Sequence, residues 1–168
     1  MSEYHTSVLL DESVSALVGS DVNGVYADAT FGGGGHTAEI LSRLSLNGSV
    51  LAFDRDMDAI GNRIDDPRLT LIRSDFRWIH NHVLHQGHKD GIDGVLADLG
   101  VSSHQFDTAE RGFSFRWDAP LDMRMNQEAD RTAADIVNGY ETEELEKILR
   151  IYGEVENSRK IAQLIEKA

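Results

Sequence analysis

The chain has 168 residues, 16 Lys+Arg against 29 Asp+Glu for a formal net charge of −13, 40% hydrophobic residues and no cysteine. Length and composition suit a globular domain, or one domain and the start of a second. Without cysteine there is no disulfide framework, thiolate zinc site, iron–sulfur cluster or Cys nucleophile, and the acidic excess excludes holding nucleic acid by bulk electrostatics alone.

Met1 to Leu10 carries no basic residue and only Val8–Leu10 as an apolar run, which excludes a signal peptide. No stretch approaches the roughly 20 apolar residues of a membrane span. The expectation is a cytoplasmic protein that does not enter a membrane.

Four short apolar runs follow: Val25-Tyr26-Ala27 leading into Asp28, Ser49 to Phe53 ending at Asp54, Leu69 to Ile72 leading toward Asp75, and Gly94 to Ala97 ending at Asp98. Continuous apolar runs of this length read as parallel strands buried on both faces. Thr37–Leu44, Met57–Ile64 and Phe76–Leu84 place apolar residues at helical spacing between them. The alternation predicts an α/β fold with a doubly wound, mostly parallel sheet. Such sheets more often have five to seven strands, so the core reads as incomplete.

Directly after the first run comes Asp28-Ala29-Thr30-Phe31-Gly32-Gly33-Gly34-Gly35-His36. Glycines there let the backbone turn sharply and approach a ligand, and the helix that follows offers free N–H groups. The plain alternative is a strand-to-helix turn with no ligand. The run is not G-x-G-x-x-G, because the third position is Thr37. Asp54, about twenty residues on, has the placing of a carboxylate that accepts both hydroxyls of an adenosine ribose. Capping the next helix is its structural alternative, and Asp56 suits that role equally.

Asp98 closes the fourth run, where a carboxylate faces the crevice in which such sheets bind ligands and can accept a proton or hold an amine. A structural cap is the alternative. Phe76 suits either an adenine ring or the core. His80, His82, His85 and His88 lack a carboxylate that completes a metal set, so no metal is expected.

From Leu99 to Arg131 the chain has no long periodic segment, and a connection this long points to a functional loop. Arg111, Arg116, Arg124 and Arg131 mix there with Phe113, Phe115 and Trp117, suiting phosphate contact and base stacking or, equally, a folded loop with internal Arg–Asp pairs. Thr132 then caps Ala133–Asn138. Thr142 caps a helix with Leu145, Ile148, Leu149 and Tyr152 on one face, and Ser158 starts another with Ile161, Leu164 and Ile165.

His5 to Glu12, Asp28 to His36, Phe53 to Asp56, Ala97 to Ser103, Glu110 to Phe115, Pro120 to Met125 and Tyr152-Gly153-Glu154 follow one another in an order that resembles the bacterial 16S rRNA (cytosine-N4)-methyltransferase family (RsmH or MraW). Glu110–Phe115 and Pro120–Met125 are its most specific segments. The resemblance implies a Rossmann-like, S-adenosylmethionine-dependent core over residues 1–130 and the start of an inserted helical substrate-recognition domain over 131–168. The remainder of the core, with a Phe-His-Ser-Leu-Glu-Asp motif, is absent. It implies methylation of the exocyclic N4 of a decoding-centre cytosine in 16S rRNA, probed within the small ribosomal subunit. S-adenosylmethionine is then expected against Gly34, Gly35, His36, Asp54, Phe76, Asp98 and Gln105, with Asp98 as catalytic acceptor and Arg111, Arg116 and Arg124 toward RNA.

The usual amino-methyltransferase signature, an acid or amide followed by two prolines and an aromatic, is replaced by Asp98-Leu99-Gly100-Val101. Two other readings stand: an inactive or cofactor-binding-only fragment, and a nucleotide-dependent oxidoreductase using the same loop. Cytosine C5 methylation and zinc-dependent deamination are excluded by the missing cysteines.

Overall fold

Strands β1 (Val25–Asp28), β2 (Ser49–Asp54), β3 (Leu69–Arg73) and β4 (Gly94–Leu96) form one parallel sheet in the order β3-β2-β1-β4. The computed structural model describes residues 7–167 and divides into two compact units, the first ending at Ser102 and the second beginning at Ser103. In the first unit, helices α1 (Leu10–Val18), α2 (Gly35–Arg43), α3 (Met57–Ile60) and α4 (Ile79–His85) surround the sheet.

Alternation along the strands explains why their sequences are apolar throughout. Tyr26, Val50 and Ala52 face one way and pack with Val14, Val18, Ile40, Leu41 and Leu44 of α1 and α2. Ala27, Leu51 and Phe53 face the other way and pack with Val83 of α4, together with Ile72 and Ile79. Phe53 and Ile40 are wholly buried, and each such side chain contributes about 1.5–3 kcal/mol of transfer free energy. This is the expected doubly wound α/β core, with helices on both faces. Its strand order reverses between β1 and β4, the crevice position where sheets of this kind hold ligands.

Three local expectations change. Helix α1 was not signalled, because Leu9 at its N-cap has left-handed backbone (φ 49°) and supplies no capping side chain. Helix α3 ends at Ile60, with Gly61 as its C-cap, rather than continuing to Ile64. Strand β4 ends at Leu96, so Asp98 lies two residues beyond it, and among the described residues β4 pairs with β1.

The second unit contains α5 (Ser103–Asp107), a 3-10 turn at Ala109–Arg111, α6 (Ala133–Gly139), α7 (Thr142–Ile151) and α8 (Ser158–Lys167). The change of composition near residue 130 falls inside it. A reciprocal capping box between Thr132 and Asp135 starts α6 as the sequence suggests. Glu141, not Thr142, stands at the N-cap of α7, and the Thr142 hydroxyl instead donates to Glu166 near the far end of α8. That bond sets the two helices antiparallel. Leu145 is buried, whereas Tyr152 follows the last helical residue and is exposed. On α8 the buried positions are Ser158 and Ala162, while Ile161 and Leu164 face outward. Among the described residues, no helix is long and apolar enough to cross a membrane.

Candidate functional site

Asp28 ends β1 fully buried, and its carboxylate shapes the glycine turn from below. One oxygen accepts the Thr30 backbone N–H (3.0 Å) and the other the Thr37 hydroxyl on α2 (2.7 Å). Burial pushes its carboxyl above the usual range, and these two hydrogen bonds oppose the shift. The turn itself needs glycine at two places, Gly32 (φ 52°) and Gly34 (φ 80°), where a β-carbon is strained.

Asp54 holds the outer side of the same turn. Its Oδ2 accepts the Gly32 N–H (2.8 Å) and its Oδ1 accepts the Asp56 N–H (2.9 Å). Asp56, not Asp54, caps α3 by accepting from Asp58. A carboxylate offers about four lone-pair sites, so each Asp54 oxygen keeps one for a further donor. Asn62 closes the turn from the side, donating to the Gly32 carbonyl (3.1 Å).

The other strand ends are tied to this frame. The Ser74 N–H donates to the Asp54 carbonyl (2.9 Å). Asp75 then caps the 3-10 turn Phe76–Trp78, and hydrogen bonds from Arg77 hold its carboxyl below the usual range. Phe76 is 43% exposed, so it is not the core ring that its position also allowed. Across β1, the Asp98 N–H donates to the Thr30 hydroxyl (2.8 Å) and the Asp98 side chain is exposed. Gly34, Gly35, Asp54, Phe76 and Asp98 thus all follow the carboxyl ends of the four strands. His36 is buried, and its Nε2 meets the Val8 carbonyl (3.1 Å). A carbonyl only accepts, so Nε2 carries the proton.

Thr30, Thr37 and Asn62 had no place among the candidates. The Asp28-x-Thr30 spacing is an Asx-turn pattern that signals the first; nothing in the spacing signals Thr37 or Asn62, whose partners lie across a turn. His82 packs its ring against Phe53 at 5.7 Å. Among the described residues no group of three or more His, Asp or Glu side chains is arranged to hold a metal ion.

In the second unit, Gln105 lies buried on α5. The long connection is a folded loop. Arg111 is only 4% exposed; it donates to the carbonyls of Arg124 and Met125 (both 3.1 Å) and to the Gln127 amide oxygen (3.0 and 3.1 Å). Arg124 forms a two-pronged pair with Asp122 (2.6 and 2.9 Å) and also donates to the Ala129 carbonyl. Both arginines are thus turned inward, away from the outward role expected of them. Arg116 keeps its side chain 69% exposed, with Asp107 at 3.5 Å, between the fully exposed Phe115 and the half-exposed Trp117.

A model of the MraW methylase family matches residues 2–168. The curated ribosomal RNA small subunit methyltransferase H of Bacteroides fragilis (strain YCH46) is 57% identical over 166 residues, which cover 98% of this chain and 54% of the relative. The protein of the same name from Phocaeicola vulgatus is 53% identical over 165 residues, with the same coverage. That from Flavobacterium johnsoniae is 51% identical over 168 residues, 99% of this chain and 54% of the relative. The chain spans about half the length of the curated relatives it matches.

Proposed function

The chain belongs to the MraW methylase family, and from that premise we propose that it holds S-adenosylmethionine for methylation of the exocyclic N4 of a decoding-centre cytosine in 16S rRNA. The observation that carries the reading is Asp54: its Oδ2 braces the glycine turn at Gly32 and its Oδ1 accepts the Asp56 N–H of its own loop, and each oxygen keeps a lone pair for one of the two ribose hydroxyls. The crevice fits the rest of the molecule. Phe76 offers a half-exposed ring for adenine. Beyond the Gly34 N-cap, whose N–H is taken by the Phe31 carbonyl, the first turn of α2 at Gly35 and His36 offers backbone N–H groups that lack helical partners to the amino-acid end.

When bound, S-adenosylmethionine supplies a methyl carbon made electrophilic by its sulfonium, open to direct displacement by the cytosine amine. Asp98 accepts a hydrogen bond from that amine, orienting its lone pair and stabilising the positive charge that gathers there. A cytosine within a stem must first leave its stack, and on the RNA side the exposed Arg116, flanked by Phe115 and Trp117, suits phosphate contact with base stacking. Arg111 and Arg124 serve this surface by shaping the loop that carries it. Residues 131–168 begin the helical substrate-recognition insertion, and the substrate is met in the cytoplasm on the small ribosomal subunit.

The test is calorimetric titration of S-adenosylmethionine and S-adenosylhomocysteine into the folded chain. Binding is expected, and Asp54→Ala should weaken it at least tenfold, the loss of hydrogen bonds to a charged acceptor. No heat from either ligand overturns the cofactor assignment.

A further inference from the structure

The third and fourth glycines of the turn have different reasons to be glycine. Gly34 needs its backbone conformation (φ 80°). Gly35 has no left-handed backbone; instead, a β-carbon there collides with the Ser7 hydroxyl. Glycine at 35 thus makes room for a side chain of this same chain. Gly35 is the first residue of α2, and the Cα–Cβ bond of a helical residue tilts toward the N-terminus, so the Ser7 hydroxyl lies against the amino-terminal turn of α2.

Ser7 is held there by its neighbours. The Val8 carbonyl accepts from His36 Nε2 (3.1 Å). Leu9 turns the chain through left-handed backbone (φ 49°), and its carbonyl accepts the Ser13 N–H (2.8 Å) as α1 begins. Left-handed backbone costs a leucine about 1–2 kcal/mol, and here it directs the preceding residues onto the glycine turn. Ser7 itself is half-buried, and among the described residues its hydroxyl has no hydrogen-bond partner.

We propose that Ser7 is a further binding residue for the amino-acid end of the methyl donor, with its hydroxyl placed by the His36–Val8 hydrogen bond beside Gly35. The proposal rests on the cofactor reading above and extends it to a segment outside the sheet. Gly35 is the residue that admits Ser7, and His36 is a positioning residue acting through the Val8 carbonyl.

Two ligands separate this proposal from the reading beneath it. S-adenosylhomocysteine has the amino-acid end; 5′-methylthioadenosine has the same nucleoside without it. Ser7→Ala should weaken the first about tenfold, the size of one hydrogen bond to a charged group, and leave the second unchanged. Asp54→Ala should weaken both. Gly35→Ala displaces the Ser7 hydroxyl and should mimic Ser7→Ala, while the double variant should bind no worse than either single one. Equal weakening of both ligands by Ser7→Ala, or none, overturns the assignment. So do additive losses in the double variant, which place the new methyl group against the ligand rather than against Ser7. If the folded chain binds neither ligand, the cofactor reading falls and this proposal with it.

Discussion

The glycine turn of the first unit and the arginine loop of the second are both organised by charged side chains, yet they use them in opposite ways. Asp54 accepts one hydrogen bond from the glycine turn and one from Asp56, which leaves half its acceptor capacity for a further donor. Arg111 spends its guanidinium on the carbonyls of Arg124 and Met125 and on Gln127, and Arg124 on Asp122 and Ala129. A carboxylate in a turn can brace backbone and still face a ligand, because its lone pairs point in several directions. A planar guanidinium surrounded by carbonyls is consumed. The most specific sequence segments of the second unit, Glu110–Phe115 and Pro120–Met125, are therefore largely the frame of a loop.

The largest expected effect tests that frame. At Gly112 (φ 70°) a β-carbon falls 2.5 Å from the Pro120 carbonyl oxygen and 2.6 Å from the Asp122 nitrogen, both backbone. Left-handed strain and overpacking together should cost Gly112→Ala about 3–4 kcal/mol. Hydrogen exchange at the Met123 amide, which donates to the Arg111 carbonyl at 3.0 Å, reads this locally. Unchanged protection would show that the loop does not depend on this crossing and would break the comparison.

How far each region was legible follows from the same contrast. Strands announce themselves because burial on both faces makes them apolar throughout, and Ser49–Asp54 was visible almost residue for residue. Asp54 was legible as a candidate because its placing follows from distance along the chain. Helix α1 was hidden by its uncapped start at Leu9. The inward turn of Arg111 depends on carbonyls thirteen and fourteen residues away, and no local pattern distinguishes an arginine facing carbonyls from one facing phosphate.

A smaller effect sharpens the account of the glycine turn. Thr37→Val removes one of the bonds that restrain the raised pKa of buried Asp28, which should move it higher still. A carboxyl raised in the fold is best tolerated when protonated, so its cost is absent below the unfolded value near ~4 and grows as pH rises through the folded one. The variant should lose about 1–3 kcal/mol at neutral pH and regain most of it toward pH ~4, as read by urea unfolding. A loss that does not change with pH would mean packing alone was disturbed.

The smallest effect concerns Asp66, whose hydrogen bonds from Arg68 lower its carboxyl to about 2. That contribution is present above the unfolded value near ~3.9 and is lost as pH falls toward 2. Arg68→Met should return Asp66 to the ordinary carboxylate range, followed by carboxyl carbon shifts, with a small loss of neutral-pH stability because both side chains lie near the surface, 19% exposed, where solvent screens the pair. Arg68 also donates to the Leu44 carbonyl (2.9 Å), so a large neutral-pH loss would reassign it to holding the end of α2.

Strand β4 pairs on one side only, with Val95 half exposed beside it. An uncovered strand is a template on which further copies of a chain can add, and proteins restrain such edges by keeping them short and charged. Here the paired stretch is three residues, Gly94–Leu96, and it lies between Asp93 and Asp98. Among the described residues the far side of β4 is therefore where a further strand can pair, lengthening the sheet beyond the reversal without touching its β3-β2-β1 half.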